Sequence, residues 1–242
     1  VWDATAIEWI DEYLDFHKVG SGDLTAWPLL ESIAATGKPI VLSTGLSTLQ
    51  DVVDTVGFVR AANPRYAGHG HIALMQCTAM YPIDDDAANL RAMDTLREAT
   101  GLDVGYSDHT RGNLALIAAA ARGARILEFH FTDTREGRTF RDHQVSLTLD
   151  EVRELSSQVD RLTALLGDGD KRPMACEIGT GHVTSFRRAL YSRRALRAGE
   201  SIRAEDLVAL RPNHGIDARR FKEIVGRRVA RDTAAFEAIE LE

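Results

Sequence analysis

Five short apolar runs recur along the first half of the chain, and each turns abruptly polar at its C-terminal end. They are HKVGSGD (17–23), PIVLSTG (39–45), IALMQCT (72–78), DVGYSDHT (103–110) and RILEFHF (125–131). Helical patterns lie between them. In TAWPLLESIAATG, Pro28 suits a first turn and Gly37 a stop. STLQDVVDTVGFVRAAN opens with Ser47 and Gln50 at capping-box spacing, and TLDEVRELSSQVDRLTALLG opens with Thr148 and Glu151 in the same way. In the latter, Val152, Leu155, Val159, Leu162 and Leu166 recur at helical intervals and predict a buried face. AANLRAMDTLREATG and GNLALIAAAARG complete the alternation. Strands alternating with helices imply a parallel sheet. Polar residues gathered at the C-ends of consecutive strands favour a (β/α) barrel with chemistry at its mouth. A doubly wound sheet, which also binds ligands at strand C-ends, is the alternative.

After residue 167 this rhythm stops. GDGDKRPMACEIGTGH (167–182) is rich in glycine and charge and reads as a linker. Beyond it come short alternating runs and many arginines. The chain therefore divides into a barrel over 1–168, a linker over 169–183 and a small, mostly β domain over 184–242. With 44% hydrophobic and 27% charged residues in 242, the composition is that of a soluble globular protein. A net charge of −7 argues against a nucleic-acid partner, although a local cationic pocket can still take a small anion. Cys77 and Cys176 are too few for a disulfide framework and suit a reducing compartment. The longest apolar run, LALIAAAA (114–121), is far short of a membrane span. The opening VWDATAIEW carries no signal-peptide pattern, so the expectation is a cytoplasmic protein.

His109 and His130 end two of the runs, 21 residues apart. A strand histidine is usually structural, and this spacing is no metal signature by itself. Their position is more telling, because adjacent strand C-ends in a barrel bring two rings together. Two neutral imidazoles would leave several positions open on a manganese or magnesium ion. Glu128 shares the strand face of His130 and is a candidate partner behind it. KVGSGD offers Lys18, Ser21 and two glycines, which suit a phosphate cradle, a plain turn, or a Schiff-base lysine. Ser43 and Thr44 repeat the theme. Asp108 reads as a strand-end hydrogen-bonding group, Tyr81 as core or a sugar contact, and Asp142 and His143 as a solvated loop.

Taken together and in order, KVGSGD, IVLSTG, CTAMYP, GYSDHT and ILEFHFTD resemble the sialic acid (nonulosonic acid) synthase family. SFRRALYSRRALRAGESIRAEDLVALRPNHGI resembles that family's C-terminal antifreeze-like, or SAF, domain. The resemblance covers nearly the whole chain. It implies a TIM barrel joined to a SAF module, a domain-swapped homodimer, and condensation of phosphoenolpyruvate with an N-acylated aminohexose such as N-acetylmannosamine. It implies metal binding by His109 and His130, with Mn2+ first and Mg2+ or Co2+ as alternatives. Phosphoenolpyruvate contacts fall on Lys18, Ser21, Ser43 and Ser107, the sugar contact falls on Tyr81, and Asp23 is a further substrate-binding residue. Asp142 becomes the acid beside the last strand, and Arg211 the arginine that reaches the sugar's acyl group in the partner subunit. Three departures stand out: Asp23 replaces a frequent Glu, Ala79 replaces an Asn found in some members, and EGRTFRDHQ lacks a common Gly-Pro. Only five strands are visible where a TIM barrel has eight, so the expectation is that the first three βα units are missing. The rival readings are a Schiff-base aldolase acting through Lys18 and a non-catalytic carbohydrate-binding protein.

Overall fold

The computed structural model describes residues 3–242; Val1 and Trp2, which open the VWDATAIEW segment, lie outside the described residues. Two compact units separate, one ending at Asp168 and the other running Gly169–Glu242.

The first unit is built on five strands: β1 (His17–Val19), β2 (Ile40–Ser43), β3 (Ile72–Cys77), β4 (Asp103–Ser107) and β5 (Leu127–Glu128). All are parallel, and each pairs with its neighbour in sequence, in the order β1-β2-β3-β4-β5. A doubly wound sheet reverses its order at a switch point. No reversal occurs among the described strands, so the singly wound barrel sector is the correct architecture.

Alternation then sorts the side chains onto two faces. On one face, Val19, Ile40, Leu42, Ile72, Leu74, Val104 and Tyr106 join the main core with residues of the flanking helices. Those helices are α1 (Ala4–Ile10), α2 (Trp27–Thr36), α3 (Leu49–Ala62), α4 (Ala92–Thr100), α5 (Leu114–Ala121) and α6 (Leu149–Leu166). In α3, Val52, Thr55, Val56 and Val59 are buried at the spacing of one helical face. The opposite face is the concave one. It carries Val41, Ala73 and Met75 low on the strands, and Lys18, Ser43, Cys77, Ser107 and Glu128 at their C-ends. Gly105 lies on this face, where an added Cβ would meet the Ile126 carbonyl oxygen at 2.5 Å. Only glycine allows β4 and β5 this approach.

Two details differ from the sequence reading. The box that opens α3 uses Thr48 and Asp51, one residue later than Ser47 and Gln50. A carboxylate at the third helical position both accepts the Thr48 backbone N–H at 2.8 Å and complements the helix dipole, which an amide cannot. In α6, Leu155 is buried and Val152 and Val159 pack on the core, but Leu166 is exposed.

The second unit opens with the short helices α7 (Ala175–Gly179) and α8 (His182–Ser185), in the segment whose composition suggests a linker. An antiparallel pair follows, β6 (Ala189–Ser192) with β7 (Leu207–Leu210), and then α9 (Phe221–Ile224). Its own small core gathers Leu190, Leu196, Ile202, Leu207, Ile224, Val229 and Ile239. Asp206, almost fully buried, is balanced by the Arg194 Nε at 2.6 Å.

Candidate active site

Register explains the two histidines. β4 pairs with β5 so that Tyr106 faces Leu127 and Ser107 faces Glu128, an offset of 21. His109 and His130 are separated by the same 21 residues, each two places beyond its strand, and so they emerge side by side. Their ring centroids lie 5.2 Å apart. The Tyr81 ring, from the loop after β3, packs 4.1 Å from His109 and 5.3 Å from His130.

His109 is buried, and its Nδ1 lies 2.8 Å from the Thr78 carbonyl oxygen. A carbonyl can only accept, so Nδ1 carries a proton and donates it, which directs Nε2 toward the site. Cys77 Sγ approaches the same Nδ1 at 3.8 Å. Burial disfavours the charged forms of both groups, but their mutual contact outweighs it. His109 is thereby raised and Cys77 lowered from their ordinary values. His130 is lowered, first by burial and then by its cationic-prone neighbour His109, against the opposing pull of Asp142 and Glu128. Asp142 Oδ2 lies 3.6 Å from His130 Nδ1, while Asp142 Oδ1 is buried without a hydrogen-bond partner. Among the described residues, no group of three or more His, Cys, Asp or Glu side chains is arranged to hold a metal ion. The donor set fits a divalent ion held by two imidazoles, with the remaining positions left to water and substrate oxygens. Asp142 Oδ1 faces the Arg141 Nε at 3.5 Å.

The opposite wall of the pocket comes from β1 and β2. Ser21 Oγ donates to Ser43 Oγ at 3.0 Å and accepts from the Gly45 backbone N–H at 3.1 Å. A Cβ on Gly45 would come within 2.7 Å of Ser21 Oγ, so the glycine is what permits this contact. Lys18 Nζ lies 3.4 Å from Glu128 Oε2, and Ser107 Oγ donates to Glu128 Oε1 at 2.7 Å. Asp23 closes the turn Ser21–Asp23 at the rim. The resulting cavity is about 500 Å³ and is lined by Lys18, Ser21, Asp23, Ser43, Tyr81, Ser107, His109 and His130. Of the site residues that the family resemblance implies, all but two line this cavity. Asp142 stands behind His130. Arg211 is in the second unit, just after β7, with its guanidinium 5.3 Å from the Phe186 ring centroid.

Cys77 and Arg141 escaped the sequence reading as site residues, and Glu128 was read there only as a partner of His130. Glu128 touches Lys18 and Ser107 rather than serving His130 alone, a role that only the pairing of β4 with β5 reveals. Cys77 lies on the concave face two residues after Met75, so alternation could have found it. Arg141 sits with its guanidinium 4.8 Å from the Tyr81 ring centroid, and nothing in the loop sequence signals this.

Comparison with known proteins adds context. Residues 1–171 match the NeuB family, and residues 187–239 match the SAF domain. The N,N'-diacetyllegionaminic acid synthase of Campylobacter jejuni is 34% identical over 227 residues, which is 93% of this chain and 66% of that protein. A crystal structure of a spore coat polysaccharide biosynthesis protein E from Chromobacterium violaceum superposes with a TM-score of 0.76 at 27% identity. It covers 100% of this chain and 72% of that one. The N-acetylneuraminic acid synthetase of Leptospira borgpetersenii, solved with citrate, gives a TM-score of 0.66 at 28% identity, over 75% of this chain and 61% of the other. The chain spans 60–66% of the length of the three curated relatives with which it shares 34–35% identity.

Proposed function

The chain belongs to the NeuB family and carries a SAF domain, and on that premise we propose that the complete protein is a nonulosonic acid synthase. It condenses phosphoenolpyruvate with an N-acylated aminohexose of the N-acetylmannosamine type and releases phosphate. The observation that carries this reading is the convergence of Lys18, Ser21, Ser43 and Ser107 with Tyr81, His109 and His130 around one cavity. Hydroxyls and an ammonium suit a phosphate, and the histidine wall suits a carbonyl. Synthases of related sugar acids among the relatives support the same reaction class.

In this mechanism Lys18 and the three serines bind the phosphate and carboxylate of phosphoenolpyruvate and stabilise charge as it shifts. Tyr81 and Asp23 hold the sugar hydroxyls and present its open-chain aldehyde. His109 and His130 would hold a divalent ion, Mn2+ first, which would supply Lewis acidity to the reaction. Carbon 3 of phosphoenolpyruvate forms a bond to the aldehyde carbon, and the aldehyde oxygen takes up a proton. Water adds at carbon 2, and Asp142 receives the proton it loses. The bond between carbon 2 and the bridging oxygen then breaks as the carbon 2 hydroxyl passes its proton to the departing phosphate, leaving a ketone at carbon 2 and the bridging oxygen on phosphorus. Arg211 of a second copy binds the acyl carbonyl of the sugar through its planar, permanently charged fork.

The test is phosphate release by the full-length protein against a panel of N-acylhexosamines. Release that requires both substrates is expected. Turnover of pyruvate with borohydride-trappable Lys18 would replace this reading with a Schiff-base aldolase. Sugar binding without phosphate release would replace it with a carbohydrate-binding protein.

A further inference from the structure

Lys18 and Glu128 belong to β1 and β5, the first and last strands of the sheet, yet their charged ends lie 3.4 Å apart. The pair bridges the concave face. Glu128 also takes the Ser107 hydroxyl at 2.7 Å. Its two oxygens therefore engage two of the groups that, on the reading just given, bind an incoming phosphate. A carboxylate and a phosphate compete for such donors because both are anionic acceptors with oxygens at similar spacing. The lining of the cavity sharpens the conflict: one lysine stands against two carboxylates, Asp23 and Glu128. A pocket for a multiply charged anion gains nothing in affinity from a second carboxylate beside its cation.

We infer that Glu128 is the phosphate subsite's built-in anion. It holds Lys18 and Ser107 aligned toward the cavity before substrate arrives, and its charge opposes the bound phosphate, which sets the affinity for phosphoenolpyruvate and eases departure of inorganic phosphate. Glu128 is thus a positioning residue that acts through Lys18 and Ser107. This inference rests on the proposed phosphoenolpyruvate chemistry. A purely structural role for Glu128 makes the opposite forecast, since loss of a structural partner loosens Lys18 and Ser107 and weakens anion binding.

The sign of the effect is the test. Titration calorimetry on the full-length protein, at constant Mn2+, compares wild type, Glu128→Gln and Glu128→Asp with phosphoenolpyruvate and with inorganic phosphate. Glu128→Gln keeps the length and the acceptor for Ser107 but removes the charge. Both anions should bind it about three- to tenfold more tightly, the scale of one charge removed several ångströms away in a half-exposed site. Glu128→Asp keeps the charge and binds no tighter than wild type, and the KM for the neutral sugar stays unchanged in Glu128→Gln. Independently of any variant, a crystal of the wild-type protein with phosphate bound should show the Lys18–Glu128 pair opened beyond about 4 Å. Unchanged or weaker anion binding by Glu128→Gln, or an intact pair with phosphate on Lys18, overturns the inference while leaving the synthase reading standing. A wild-type protein that binds neither anion overturns both.

Discussion

His109 owes its orientation to a backbone carbonyl, that of Thr78, whereas His130 leans on the carboxylate of Asp142. A carbonyl cannot be removed by mutating a side chain, so the histidines themselves are the informative targets. His109→Ala and His130→Ala should each weaken Mn2+ binding by more than about tenfold, because loss of an outer-shell partner alone commonly costs that much. Paramagnetic resonance titration of the full-length protein reads this directly, and wild-type affinity in both variants would remove the metal from the account. Arg211→Ala should raise the KM for the sugar about tenfold to a hundredfold, with little change for phosphoenolpyruvate, since a charged hydrogen bond is worth roughly 1.5–3 kcal/mol. Equal rises in both KM values would reassign Arg211. At this scale the sequence was legible where a strand end marks itself by a polar residue, as at Ser43, Ser107 and His109. It was silent where the partner is set by register or by loop path. Glu128 was visible as a neighbour of His130, but its contact with Ser107 depends on which residue β5 places opposite β4. Arg141 reaches Tyr81 through a loop whose course no periodicity encodes.

At the level of elements, helix ends show why local chemistry can be read early and still be off by a residue. Ser47 and Thr48 both suit an N-cap, and the choice fell to Thr48 because Asp51, not Gln50, completes its box. The start of α6 was unambiguous. Glu151 accepts the Thr148 backbone N–H at 2.7 Å and is clasped by both terminal nitrogens of Arg135, at 2.8 and 2.6 Å. These contacts, the Arg135 bond first, hold its carboxyl down to about 2 from an ordinary 4.5. A depressed carboxyl contributes stability above its unfolded value that is lost as pH falls through its folded one. Glu151→Gln should therefore lower stability at pH 7 by about 1 kcal/mol, the scale of a helix cap. The difference should shrink between about pH 4.5 and about pH 2. Thermal unfolding of the two proteins across that range checks it, and a gap that persists undiminished at pH 2 would show that the contribution is not one of charge.

For the molecule as a whole, the order of strands carries the argument. An all-parallel sheet is normally covered on both faces, and here helices cover one while the concave face carries Val41, Ala73 and Met75 around a groove of about 680 Å³. Residues 1–242 expressed alone should therefore bind the dye ANS and aggregate through this face and the open edges at β1 and β5. A soluble monomer of this length with full turnover would contradict that. The βα rhythm made a parallel sheet legible but left a doubly wound order open, which the observed pairing of sequential strands closes; what lies against the concave face was not legible, since inward-facing residues read the same whether a barrel or a partner covers them. If Arg211 acts on a neighbouring subunit, mixing full-length Arg211→Ala and His109→Ala proteins should restore partial activity once subunits exchange. No recovery after verified exchange would confine Arg211 to its own chain. The central claim is the bond that breaks. The full-length protein, given an N-acylhexosamine and phosphoenolpyruvate labelled with oxygen-18 at the bridging position, should release all of the label in inorganic phosphate, one phosphate for each sugar acid formed. Label retained in the sugar acid would mean cleavage between phosphorus and oxygen, and would contradict the mechanism.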